Sequence, residues 1–202
     1  MRYYRYSLIN DELVPNDSGD IIVYVDSGFI EIVSEKEKKR LENCKFKILG
    51  EEGKLLRKLE ELAKLLDIQI DERVYLAPTD VRSRIVSINR DIGRLFEEYL
   101  YKLLSKKYKV ERNKEVQVSL SKFTGNRYYT KPDFIVEGRI AVEAKTGKVD
   151  YRQLIGYYKI FKRGVVAFPY SGECRVPPGW VCNSYTIKDP DKLYLTIDTL
   201  LR

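Results

Sequence analysis

Apolar and polar positions along 21–34 follow a strand pattern interrupted at Asp26-Ser27-Gly28. Ile21-Ile-Val-Tyr-Val and Phe29-Ile-Glu-Ile-Val therefore predict the two strands of a β-hairpin, joined by turn-forming residues. Ser34 with Glu37 has the spacing of a capping box and predicts a short charged helix after the hairpin. The period then changes. Leu55, Leu56, Leu59, Leu62, Leu65 and Leu66 recur close to every 3.6 residues and predict a helix over about 54–66, with Gly50 and Gly53 bracketing its entry. Residues 68–76 read as extended. Pro78 breaks the chain, and Asp80 can cap a long helix running to about Lys106.

Beyond that helix the texture is that of a sheet. Tyr108–Leu120 reads as a strand with Val110, Val116 and Val118 apolar, and Ser121–Lys131 as a polar loop. Strands are predicted over 133–137 and 139–145, turning at Glu137-Gly138. A helix fits Tyr151–Lys162, and Gly164–Phe168 is a short apolar strand. The Pro177-Pro178-Gly179 turn leads to a last strand near Trp180–Ile187. From 80 to 168 the order is helix, three strands, helix, strand. That order predicts an α/β layer with helices packed on a mixed sheet. Residues 1–78 form an N-terminal α+β extension of unknown function, and residues 79–202 form the main domain.

Composition narrows the chemistry. The chain holds no histidine, which excludes His-ligated zinc, Ser-His-Asp and Cys-His catalysis. Cys44, Cys174 and Cys182 are too few for a four-thiolate site, and Cys174 and Cys182 admit either a disulfide or free thiols. Without an apolar run of 18 residues, or an apolar segment behind the basic start, the chain is expected to be a soluble cytoplasmic protein with no membrane partner. Its 33% charged residues and single Met resemble a thermophile's composition. Charge is unevenly spread. Residues 1–80 hold 13 Lys/Arg against 17 Asp/Glu, and 81–202 hold 24 against 13. A basic C-terminal part favours a polyanionic partner, most simply nucleic acid.

One constellation carries chemistry. In Arg139-Ile-Ala-Val-Glu-Ala-Lys145, alternation sends Ala141, Glu143 and Lys145 to one face of a strand, while Ile140, Val142 and Ala144 face the other and can pack under a helix. Pro132-Asp133 opens the preceding strand, and the turn at Gly138 brings Asp133 and Glu143 to one end of the hairpin. Two close carboxylates repel unless a proton or cation compensates. Their oxygens suit Mg²⁺ or Mn²⁺. Lys145 beside them can stabilise charge on a phosphate or orient a water. Glu-x-Lys occurs three times and Pro-Asp twice, but only here are they about ten residues apart with the second inside an apolar strand.

This arrangement resembles the PD-(D/E)xK nuclease superfamily, and the likeness extends from Gly93 to about Phe168. Gly93-Arg-Leu-Phe-Glu97 is similar to the helix preceding the first core strand of that superfamily, with Glu97 in the position of its glutamate. Gln153-Leu-Ile-Gly-Tyr157 matches the Gln-x-x-x-Tyr of the RecB-like branch, its two named residues on one helix face. Archaeal Holliday-junction resolvases are similar too, though they usually lack that motif. The resemblance implies a restriction-endonuclease-like αβββαβ core. It also implies metal held by Asp133, Glu143 and Glu97, with Lys145 and Gln153 completing the catalytic set. The activity implied is Mg²⁺- or Mn²⁺-dependent hydrolysis of DNA phosphodiester bonds in replication, recombination or repair.

The segment 121–131 is free of acid and holds Lys122, Phe123, Arg127, Tyr128, Tyr129 and Lys131. Basic groups there can hold phosphates while aromatic faces stack on exposed bases. Arg152 and Tyr157 extend the expected nucleic-acid surface. A homodimer would suit action on two strands. A second reading is a nucleic-acid-binding protein on a nuclease fold, against which the intact Asp133, Glu143, Lys145 set argues.

Overall fold

The computed structural model describes residues 1–26, 28–120 and 127–202, with side chains described outside 117–129. The chain is mixed α/β, with two mixed sheets and five helices among the described residues. It divides into two compact units, Met1–Ile92 and Gly93–Arg202. Pro78 lies just before helix α3 (Val81–Ser105), and the division falls inside that helix.

In the first unit, β1 (Arg2–Ile9), β2 (Glu12–Pro15), β3 (Ile21–Asp26), β4 (Phe29–Ser34), β5 (Lys39–Arg40) and β6 (Lys45–Phe46) form a sheet in the order β5-β4-β3-β1-β2-β6. The hairpin expected at 21–34 is β3–β4, paired from Ile21↔Ser34 to Asp26↔Phe29. No helix follows it. Ser34 Oγ accepts the Glu37 amide as the capping spacing suggests, but the chain turns into β5. Strands β1 and β2 join through Asn10-Asp11, both with positive φ, the geometry of a tight two-residue hairpin turn. Helix α1 (Glu52–Leu65) buries Leu56, Leu59 and Leu62, and Leu66 just beyond its end; Leu65 is exposed. Each fully buried leucine contributes about 1.5–3 kcal/mol. Residues 72–76 are a short helix, α2 (Glu72–Leu76), not the expected strand, because the Asp71 side chain caps it by accepting the Arg73 amide.

A buried ion pair ties this unit together. Arg84 and Glu52 have no solvent-exposed side-chain surface and meet at 3.1 Å. The same guanidinium donates to the carbonyls of Pro78 and Lys47. Further hydrogen bonds offset part of the desolvation of such a pair, and here they serve the guanidinium and Glu52 Oε1, while Glu52 Oε2 is buried without a partner.

The second unit is built on a five-stranded sheet ordered β13-β12-β11-β10-β7. Its strands are β7 (Val110–Arg112), β10 (Phe134–Val136), β11 (Ile140–Ala144), β12 (Gly164–Ala167) and β13 (Trp180–Asn183). The strand expected over 108–120 is split. Its first half is β7, and its second half, β8 (Val116–Leu120), pairs with β9 (Arg127–Thr130) in a separate hairpin. With that hairpin set aside, the order is α3, three strands, α4 (Tyr151–Tyr158), then β12. Strands β10 and β11 are antiparallel about the Glu137-Gly138 turn, both residues with positive φ. Helix α4 carries the chain across to β12, which runs parallel to β11.

Strand β11 is buried on both faces. Ala141 packs with Leu154, Tyr157 and Phe161 of the α4 region, and Trp180 joins the same cluster. Gly164 admits that indole: a Cβ there would stand 2.4 Å from the Trp180 ring. Helix α5 (Pro190–Leu201) closes the chain, capped by Asp189 with Pro190 in its first turn. Cys174 and Cys182 form a disulfide. No helix among the described residues is long and apolar enough to cross a membrane.

Candidate active site

The candidate site lies at the end of the β10–β11 hairpin. Strand β10 pairs with β11 only from Phe134 to Val136, so the Ala144 amide lies beyond the ladder. Asp133 fills the gap, its Oδ2 accepting that amide at 2.8 Å. The Asp133 carbonyl accepts the Asn113 amide at 3.0 Å, fixing the residue from the β7 side as well. Both strand neighbours thus position one short side chain.

Glu143 is 2% exposed. Its Oε1 accepts from the Lys145 ammonium at 2.8 Å and from Gln153 Nε2 at 2.9 Å. Gln153 Oε1 accepts from the same ammonium at 3.1 Å, so glutamate, lysine and glutamine close a ring of polar contacts. The i, i+4 spacing along α4 brings the Tyr157 hydroxyl to Gln153 Nε2 at 2.5 Å, and this hydroxyl donates to the Lys131 carbonyl at 3.1 Å. Glu143 Oε2 is buried and has no hydrogen-bond partner. A buried carboxylate oxygen left in that state is costly unless something further binds it.

Electrostatics agree with the geometry. Burial, and then the charge of Glu143, push the Asp133 carboxyl up to about 7. Burial also raises Glu97, with Glu143 adding to the effect and Arg112 and Lys145 opposing it. Burial and mutual repulsion therefore favour the neutral forms of Asp133 and Glu97, a cost that a cation bound between the carboxylates would relieve. Among the described residues, however, no three His, Cys, Asp or Glu side chains gather into a cage for a metal ion. Glu97, expected as a third ligand, feels the field of the other two without closing such a cage.

The expected nucleic-acid residues divide. Lys131 and Arg152 are exposed. Arg127, Tyr128 and Tyr129 are on β9, their side chains outside the description, and Lys122 and Phe123 lie outside the described residues. Tyr157 requires correction. It is 3% exposed, and its ring is stacked on Trp180 at 6.2 Å, so it has no free face for a base. Its packing partners come from distant parts of the chain, which a motif match does not reveal.

Arg112 was not singled out by sequence reasoning. It pairs with Glu98 at 2.7 Å, lies over the Tyr101 ring at 5.1 Å and draws the Glu97 carboxyl down. Glu98 thus pairs with Arg112, and the same guanidinium is the strongest charge acting on Glu97, ahead of Glu143. In the first unit, a concavity of about 590 Å³ touches Tyr24, Phe29, Ile30, Arg40 and Leu41, but its Arg40 is paired with Glu31 and no catalytic set converges there. No protein family, curated protein or solved structure matches the chain.

Proposed function

We propose that the second unit is a divalent-metal-dependent nuclease acting on DNA, with Asp133, Glu143 and Lys145 at its centre. One observation carries the reading: the orphaned, buried Oε2 of Glu143 beside an Asp133 carboxyl raised to about 7. Glu52 Oε2 is orphaned too, within an ion pair, so it is the second carboxyl, Asp133, raised in part by the charge of Glu143, that makes a shared cation the fitting partner here. Mg²⁺ is commonly held by only one or two carboxylates, with waters filling its octahedron, so Asp133 and Glu143 suffice as protein ligands without a third. Bound there, the ion would supply Lewis-acid stabilisation of a scissile phosphate.

The chain's own groups do the rest. Asp133 is oriented by the Ala144 amide, and Glu143 by Gln153. Lys145, held at 23% side-chain exposure, presents an ammonium that can donate to a phosphate oxygen. Exposed Lys131 and Arg152 offer flanking phosphate contacts. Residues 93–202 carry 21 Lys/Arg against 12 Asp/Glu, a balance that attracts a polyanion. The likeness of the Asp133, Glu143, Lys145, Gln153 pattern to RecB-like PD-(D/E)xK nucleases, and of the strand order to a restriction-endonuclease-like core, supports the same conclusion.

The test is incubation of the full chain with labelled single-stranded, duplex, flapped and branched DNA in Mg²⁺, Mn²⁺ or EDTA. Cleavage of at least one form with metal and none in EDTA is the expected result. DNA binding with no cleavage in either metal would replace this reading with that of a binding protein.

A further inference from the structure

Tyr157 lies between the site and the β8–β9 hairpin. Its hydroxyl takes a hydrogen bond from Gln153, which itself holds Glu143 and Lys145, and passes one to the Lys131 carbonyl. Lys131 is the residue after Thr130, the last of β9, and is two residues before Asp133. Next to Tyr157 on α4, Gly156 faces the same strand end, its Cβ position 4.0 Å from Thr130 Oγ1. Val116, the register partner of Thr130 on β8, packs against the cluster that holds Tyr157. The hairpin base therefore leans on α4, and one hydroxyl joins it to the carboxylates.

We infer that Tyr157 is a positioning residue, resting on the nuclease reading above. Its hydroxyl fixes the Lys131-Pro132-Asp133 segment so that the Asp133 carboxylate stays on the Ala144 amide and faces Glu143. The ring supplies rigidity: stacked on Trp180, whose Nε1 donates to the Phe161 carbonyl at 3.0 Å, it cannot swing without disturbing the core. Proline at 132 limits the backbone between the anchored carbonyl and Asp133 to few conformations.

Tyr157→Phe removes the hydroxyl and keeps the ring. The direct readout is hydrogen exchange of the Ala144 amide in metal-free protein, measured by NMR. It needs neither metal nor DNA, so it stays informative if the nuclease reading fails. Exchange about tenfold faster at Ala144, with buried β12 amides unchanged, is expected. An unchanged Ala144 rate would overturn the inference. A second readout is Mn²⁺ affinity by calorimetry, expected to weaken about tenfold while the melting temperature moves little. A fall in melting temperature with unaltered affinity and exchange would mean Tyr157 only packs. Should the variant fail to fold, the unmutated protein still decides. Its Tyr157 hydroxyl proton should be visible and show Overhauser contacts to Pro132, and failure to find it would overturn the assignment.

Discussion

The Asp133 carboxylate accepts the Ala144 amide at 2.8 Å, so a side chain takes the ladder position that β10 is too short to fill. The two residues are eleven apart in sequence, and the contact sets the direction in which the carboxylate faces Glu143. A strand that ends early leaves an unpaired amide, and that amide orients the carboxylate proposed as a metal ligand. Burial and the charge of Glu143 both favour the neutral form of Asp133, and the Ala144 amide partly opposes them by donating to the carboxylate.

Asp133→Asn keeps an oxygen acceptor for Ala144 and removes the charge. The wild-type carboxyl titrates near 7 when folded, against 3.8 as its ordinary value. A raised carboxyl pKa contributes stability that is complete below the unfolded value and is lost as pH rises through the folded one. In EDTA, the variant should therefore be more stable than wild type at pH 8, by at most about 4 kcal/mol, with the gain growing between pH 4 and 7 and level above. Denaturant titrations across pH measure this. A variant less stable at pH 8 would show that the charged form is not penalised.

Lys145→Ala should separate metal binding from turnover. The ammonium neutralises part of the Glu143 charge but is not a ligand. Mn²⁺ affinity should hold or rise, while cleavage falls by roughly two to four powers of ten. Near-normal turnover would reduce Lys145 to the partner of a buried glutamate.

Arg127, Lys131 and Arg152 are expected to contact phosphates. Mutating all three to Ala should weaken DNA binding and flatten the log affinity–log salt slope by about two to three units, roughly 0.7–0.9 per contact. Fluorescence anisotropy across salt, in Ca²⁺ to suppress cleavage, reads it. A slope equal to wild type would move the phosphate track elsewhere.

Gly164→Ala tests the packing beneath the site. The new methyl would meet three ring carbons of Trp180 at 2.4 to 2.6 Å. Overpacking of that kind costs about 1–3 kcal/mol, so the melting temperature should fall. Because Trp180 carries the Tyr157 ring, Mn²⁺ affinity should fall with it, a link that an isolated core defect would not show.

Much of this was legible from periodicity. The two-residue alternation of β11 and the Glu137-Gly138 turn bring Asp133, Glu143 and Lys145 together, and the i, i+4 spacing puts Gln153 and Tyr157 on one face. Strands β1 and β2 have no clear apolar alternation, since β1 is rich in Tyr and Arg and β2 is only the four residues Glu12–Pro15. Yet Tyr6 is fully buried, its hydroxyl donating to the Ala77 carbonyl. Helix α5 was missed although Asp189-Pro190 is a cap followed by a first-turn proline. Ser34 and Glu37 carry a helix-start signal that the β4–β5 pairing overrides. Burial of Tyr157 and the placement of Arg112 beside Glu97 and Glu98 depend on tertiary contacts that no local pattern encodes.

The central claim is that Asp133 and Glu143 direct metal-dependent cleavage of DNA. The most direct measurement compares cleavage rates of wild type and Glu143→Gln, purified identically, on the DNA form wild type prefers, in Mg²⁺ and in EDTA. Glutamine keeps the shape and most hydrogen bonds but loses the charge. Wild type should cleave only with metal, and the variant should lose at least about a hundredfold, the scale of losing an electrostatic group at the reacting centre. Equal rates for the two proteins, or no cleavage of any DNA form by wild type, would contradict the claim.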